Sequence, residues 1–269
     1  MLNLTFFVGG HNIILSQSII LRMKIIPLSE GSFTIDKTKE FVPFDLDNDD
    51  LQKRPIGSLL VEIQPFVIIT KKDIILLDTG LGFTDKNNIL QLHQLMIMND
   101  IDPMSITKVL MSHLHKDHAG GISKFDHQLK QYFLSFPQAT YYINAEEFEL
   151  ATSTENPSYA ATSLHILKSA GNVVFTANSG AIDGYIKYEQ TKAHSAYHQV
   201  FWIEEDGEII FYGADDAPQL QQMKSRFVAK YDFDGKKTME LRRAWWELGA
   251  QQKWTFLFYH DIKSPTFKF

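Results

Sequence analysis

The stretch SHLHKDHAGG, Ser112 to Gly121, places three histidines and one aspartate between His113 and His118. Imidazole and carboxylate are the donors that suit Zn²⁺, with Mn or Fe as alternatives. In an extended loop alternate side chains share a face, so His113, His115 and Asp117 point one way and His118 another. One loop could then seed two neighbouring metal sites. The competing reading is a histidine-rich surface loop, which needs no other ligands. A metal centre needs several more, and the chain offers them in His194 and His198 of TKAHSAYH, Asp215 of YGADDAP and His260 of FYHD. There is no cysteine, which excludes thiolate ligands, disulfides and a cysteine nucleophile.

These residues need elements to bring them together. GSLLVEIQPFVIIT, Gly57 to Thr70, is β-branched and aromatic and predicts a strand or a bent pair of strands. The turn Lys71 to Asp73 leads into IILLDTGLG, a buried strand that delivers Asp78 to a glycine loop. Asn87 to Met98 has helical apolar spacing, and Ile106 to Ser112 is a strand running into the histidine cluster. Ala139 to Asn144 predicts a strand and Ala145 to Ala151 a helix. HQVFWIEE and EIIFYGA form a hairpin through Asp206 and Gly207. A helix near Thr238 to Gln252 precedes WTFLFYH, which is expected to end the fold as a strand. Strand hairpins with interspersed helices imply two packed sheets with helices outside, and place every candidate ligand beside a strand end. The acidic run Asp45 to Lys53 reads as a solvated loop.

The chain of 269 residues is 44% hydrophobic and 22% charged, an ordinary globular composition, and is expected to form one domain. A net charge of −6 gives no basic footprint, so a nucleic-acid partner is not expected. The first 22 residues are apolar in patches, but Asn3, His11, Asn12, Gln17 and Arg22 interrupt them before a membrane span is reached. No membrane partner is expected, and a cytoplasmic location follows. Met23 reads as an alternative start, with residues 1–22 as an extension. A small-molecule substrate is the expected partner, and a homodimer is left open.

The set resembles the metallo-β-lactamase superfamily of metal-dependent hydrolases. Its HxHxDH loop matches His113, His115, Asp117 and His118, and its strand-end aspartate matches Asp78 in LLDTG. TKAHSAYH, YGADDAP and FYHD resemble its later motifs at His194, Asp215 and His260, in the family's order. The resemblance implies an α/β four-layer αββα sandwich and a pair of Zn²⁺ ions. It assigns one site to His113, His115 and His194 and the other to Asp117, His118 and His260, with Asp215 bridging in preference to Asp216. Asp117 and Asp215 are the carboxylates given catalytic roles, around a metal-bridging hydroxide. Asp78 is read as orienting a ligand rather than only capping backbone, and His198 as structural. His11, His93, His127 and His165 sit in no motif.

The superfamily carries many chemistries, so the branch needs its own argument. GSFTIDKTKEFVPF is similar to the N-terminal hairpin of the lactonase and organophosphate-hydrolase branch, which also ends soon after an HD pair. Quorum-sensing lactonases carry a tyrosine three residues after the bridging aspartate, where this chain has Pro218. The expected activity is hydrolysis of a small lactone or ester. Alternatives are a phosphotriester, phosphodiester or β-lactam on the same site, a mononuclear iron dioxygenase using His113, His115 and Asp215, or a non-catalytic binding protein.

Overall fold

Along the strand Ile74–Leu77, Leu76 packs into one apolar cluster with Leu92, Met96 and Phe148, while Ile75 and Leu77 join another with Ile203, Ile210 and Leu257. Successive strand side chains point to opposite faces, so a continuously apolar strand is buried on both. The strands Glu208–Tyr212 and Thr255–Leu257 mirror this, with Ile210, Tyr212 and Leu257 facing the same central cluster and Phe211 and Phe256 facing away. Two sheets therefore pack face to face, each with an outer apolar face that helices must cover. A computed structural model describes residues 23–269, and the reading of residues 1–22 as an extension lies outside them.

The first sheet has six strands in the order Lys24–Pro27, Phe66–Ile69, Ile74–Leu77, Lys108–Leu110, Thr140–Asn144 and Val173–Thr176. The helices Gln91–Met98 and Ala145–Ser153 contribute Leu92, Met96 and Phe148 to its outer cluster. The second sheet runs Ser179–Ile182, Ile186–Gln190, Gln199–Glu205, Glu208–Tyr212, Thr255–Leu257 and Thr266–Lys268. Helix Gly235–Gln252 covers its far side through Trp245, against Phe211 and Phe256. This is the αββα sandwich. Three further strands, Phe41–Pro43, Gly31–Ile35 and Leu59–Ile63, form a small antiparallel sheet.

The segment Gly57 to Thr70 is a bent pair whose halves belong to different sheets, because Pro65 between them has no N–H to donate to a ladder. The first helix begins at Gln91 rather than Asn87, since Asp85 Oδ1 accepts from the N–H groups of Asn87 and Ile89 and closes a turn there. WTFLFYH does not end the fold. Its strand stops at Leu257, and Thr266–Lys268 returns antiparallel beside it. The hairpin Ser123–Asp126 with Gln131–Leu134 was not read from the sequence. Among the described residues no helix is long and apolar enough to cross a membrane.

Candidate metal centre

Four strand ends and one short helix deliver the candidate ligands. The strand Lys108–Leu110 stops just before Ser112, and the chain then carries His113 and His115 before turning into the helix Lys116–Ala119, with His115 at its N-cap. The extended geometry expected for the whole loop thus holds only for its first half. Asp117 and His118 sit on a helical turn, which directs them differently from the two histidines before it. His194 lies just before the strand Gln199–Glu205, Asp215 follows Glu208–Tyr212, and His260 follows Thr255–Leu257.

The fold gathers all seven into one place. Donor atoms of His113, His115 and His194 lie within 4.8 Å of one another, as do those of Asp117, His118 and His260. Asp215 stands between the groups. Its Oδ2 is 3.1 Å from His194 Nε2, and its Oδ1 is 3.0 Å from both His118 Nε2 and His260 Nε2. Asp117 Oδ2 is 3.5 Å from His260 Nε2 and 3.6 Å from His118 Nε2. Asp216 points away instead, accepting from the His194 N–H at 2.7 Å and lying 3.1 Å from His198 Nδ1. His198 is buried beside His113, in none of the three-donor groups. His93 and His127 lie elsewhere, stacked edge-on against Phe136 and Phe125.

The rings are held from behind. Asp78, at φ 55°, accepts from Ser112 N at 2.7 Å, Ser112 Oγ at 2.6 Å, His118 Nδ1 at 2.7 Å and the Tyr212 hydroxyl at 2.5 Å. It therefore both orients a ligand and fixes backbone. His260 Nδ1 donates to the Glu62 carbonyl at 2.7 Å, and His194 Nδ1 lies 2.9 Å from Asp232 Oδ1. Such partners set the tautomer so that Nε2 faces the centre. Glu147 Oε1 accepts from the Leu114 N–H at 3.0 Å and steadies the loop from its midpoint. Sequence reasoning missed Asp232, Glu147 and the Glu62 carbonyl. A backbone carbonyl leaves no mark in a sequence, and Asp232 sits in a mixed-charge stretch, AKYDFDGKK, without ligand spacing. The pair Gly120 and Gly121 was a readable signal. A Cβ on Gly120 would stand 2.2 Å from the Leu81 carbonyl oxygen and one on Gly121 2.2 Å from that of Thr79, so the ligand loop packs backbone to backbone on Thr79 to Gly82.

Burial, with neighbouring histidines, pushes His113 and His115 well below the usual imidazole range, so they are neutral and ready to ligate. Burial acts the same way on His118, His194 and His260, but the Asp215 carboxylate, with Asp117, Asp78 or Asp232, outweighs it and raises all three. Burial would raise Asp215 in turn, yet His260, His118 and His194 together hold it well below the carboxylate range. His118 Nε2 and Asp215 Oδ1, though close, have no aligned hydrogen-bond partner in the buried centre. These two orphaned atoms, among nitrogen and oxygen ligand atoms that converge in two groups, fit divalent cations of the zinc type.

Above the centre lies a cavity of about 1020 Å³, with Phe41, Leu59, Val61, Phe227 and Phe233 among its walls. Pro218 lines it, as do Tyr159 and Tyr231; the Tyr159 hydroxyl donates to Glu147 Oε1 at 3.2 Å.

An αββα sandwich with an imidazole and carboxylate cluster at its strand ends defines the class of metal-dependent hydrolases. Residues 62–208, more than half of the chain, match the sequence model of the metallo-beta-lactamase superfamily, and the chain belongs to that superfamily. No curated protein sequence matches it. Among solved structures, it is similar to a protein described as a probable metal-dependent hydrolase from Staphylococcus aureus, at 18% identity and a TM-score of 0.71 over 91% of this chain and 92% of that one. The hydrolase AbOPH of the beta-lactamase superfamily is 18% identical with a TM-score of 0.69, over 99% and 92% of the two chains. AidC, a dizinc quorum-quenching lactonase solved with a product, is 17% identical with a TM-score of 0.67, over 98% and 92%.

Proposed function

We propose that the chain is a dinuclear metal-dependent hydrolase acting on a small lactone or ester. The observation that carries this reading is the Asp215 carboxylate, whose two oxygens face different three-donor groups. His113, His115 and His194 would hold one ion and Asp117, His118 and His260 the other. Two divalent ions so placed would lower the pKa of a shared water toward about 7 and polarise the oxygen of the scissile group. The chain's own residues do the rest. Asp78, Asp232 and the Glu62 carbonyl orient three of the imidazoles, and Asp215 keeps the two halves of the centre in register. The apolar walls exclude bulk water and admit an acyl or alkyl group. A carbonyl substrate fits these walls, and the lactonase among the structural neighbours agrees with it.

Zinc-loaded protein is expected to bind two equivalents per chain and to hydrolyse members of a panel of lactones and aryl esters faster than phosphotriesters or β-lactams. Asp215→Asn should remove most of that activity. A single tightly bound equivalent, or iron with oxygen uptake, would refute the dinuclear reading; phosphotriesters leading the panel would refute the carbonyl substrate.

A further inference from the structure

The cavity above the centre is not only apolar. Lys37, Lys39 and Lys116 also line it. The described lysines that do form ion pairs, Lys71, Lys108, Lys187, Lys236 and Lys268, lie elsewhere. Lys37 and Lys39 sit in the turn between the strands Gly31–Ile35 and Phe41–Pro43, on the cavity wall. Lys39 lines the same cavity as the His115, His194 and His260 rings. Lys116 rises from the ligand loop itself, between His115 and Asp117. The lining carboxylate outside the centre is Asp36, which accepts from the Thr38 N–H at 2.9 Å and its hydroxyl at 2.6 Å, so three lysines stand against one acid. The wall thus carries an excess of positive charge on a chain whose net charge is −6. Two divalent cations facing the carboxylates of Asp117 and Asp215 would leave the floor positive as well. A concave, low-dielectric site of one sign focuses its field and concentrates ligands of the other.

We propose that the substrate is an ester or lactone bearing an anionic group, a carboxylate or phosphate held by Lys39 with Lys37 or Lys116, while its apolar part lies against Phe41, Phe227 and Phe233. This rests on the hydrolase reading above. Water adds its oxygen to the carbonyl carbon, the bond from that carbon to the ester oxygen breaks, and the departing alkoxide takes a proton. The released acid ionises, so the product carries one more negative charge than the substrate.

The test compares three aryl esters of matched size, one bearing a carboxylate, one a phosphate and one neutral, on zinc-loaded wild type, Lys39→Gln, Lys39→Glu and Lys116→Gln. The ratio of kcat/KM for the better anionic ester to that of the neutral one is expected to fall about tenfold in Lys39→Gln and further in Lys39→Glu. High salt should compress the same ratio in wild type. The two anionic arms distinguish carboxylate from phosphate. Binding of the corresponding amides, which resist hydrolysis, is measured by calorimetry in parallel. Lysine-dependent binding of an anionic amide with no ester turned over would uphold the anionic pocket and overturn the hydrolase. Neutral compounds favoured in both assays, or ratios unmoved by Lys39→Glu, would overturn the anionic substrate and leave the hydrolase standing.

Discussion

Asp78→Asn isolates what the buried carboxylate behind His118 contributes. Asparagine matches aspartate in shape and tolerates the left-handed φ of 55°, so backbone geometry is preserved. Oδ2 receives three donors, Ser112 Oγ, His118 Nδ1 and Tyr212 hydroxyl, and Oδ1 receives one, the Ser112 N–H. The less costly orientation turns the new amide nitrogen toward that N–H. It strands two buried donor groups, the Ser112 N–H and the amide itself, at about 1–3 kcal/mol each, and converts three charge-assisted hydrogen bonds to neutral ones at about 1 kcal/mol each. The total of roughly 5–9 kcal/mol is a large share of a typical 5–15 kcal/mol stability, and corresponds to a fall in Tm of about 10–30 °C. His118 also loses its anionic partner, which should weaken metal binding about 10–100-fold. Calorimetry of the metal-free protein reads the first effect and chelator competition the second. Asp232→Asn is the comparator, since its single contact to His194 should weaken metal binding with a smaller loss of Tm. An Asp78→Asn protein that melts within about 2 °C of wild type and binds zinc equally well would refute this account of the anchor.

Four further outcomes are expected. The raised pKa of His118, His194 and His260 stabilises the metal-free fold fully below the ordinary value of 6.5, and that contribution is lost as pH climbs through the folded values. The depressed Asp215 contributes above 3.8 and is lost as pH falls through its folded value, while His113 and His115, held neutral, act against the fold below 6.5; a pH series of unfolding curves should therefore show an acid loss of metal-free stability that is smaller in Asp215→Asn. Metal must displace the imidazole protons, so zinc affinity should climb with pH above 6.5, with proton release measurable in weakly buffered titrations. Burial raises Glu30 to about 7, so Glu30→Gln should stabilise the metal-free protein by up to about 3 kcal/mol above pH 7 and much less below 4.5, read from denaturant curves. Gly120→Ala should cost about 1–3 kcal/mol or more and lower metal affinity, because its methyl group would meet the Leu81 carbonyl and push the loop carrying His118.

Much of this was legible because the candidate ligands end predicted strands, and strands announce themselves through continuous or alternating apolar runs. IILLD, EIIFYGA and WTFLFYH each gave both a layer and a side chain. Geometry within the loop was less legible. HLHKDH looks extended by its alternation, whereas the chain coils into a helical turn at Lys116, after a His115 whose side chain makes no capping bond. Supporting contacts were hardest to read. Asp78 could be found through its glycine loop, but Asp232 reaches His194 from 38 positions away, and the group that holds His260 is a main-chain oxygen. The split of Gly57 to Thr70 between sheets depended on Pro65, whose effect is local while its consequence is topological.

The seven candidate ligands divide by origin. Four follow a strand of the first sheet, and His194, Asp215 and His260 flank strands of the second. A pair of ions in the centre would therefore tie one half of the sandwich to the other, one bridging His113 to His194 and the other Asp117 to His260, far apart along the chain. In a chain without a single cysteine, the cofactor would act as the protein's removable cross-link. Chelation would then do to this fold what reduction does to a disulfide-stapled one.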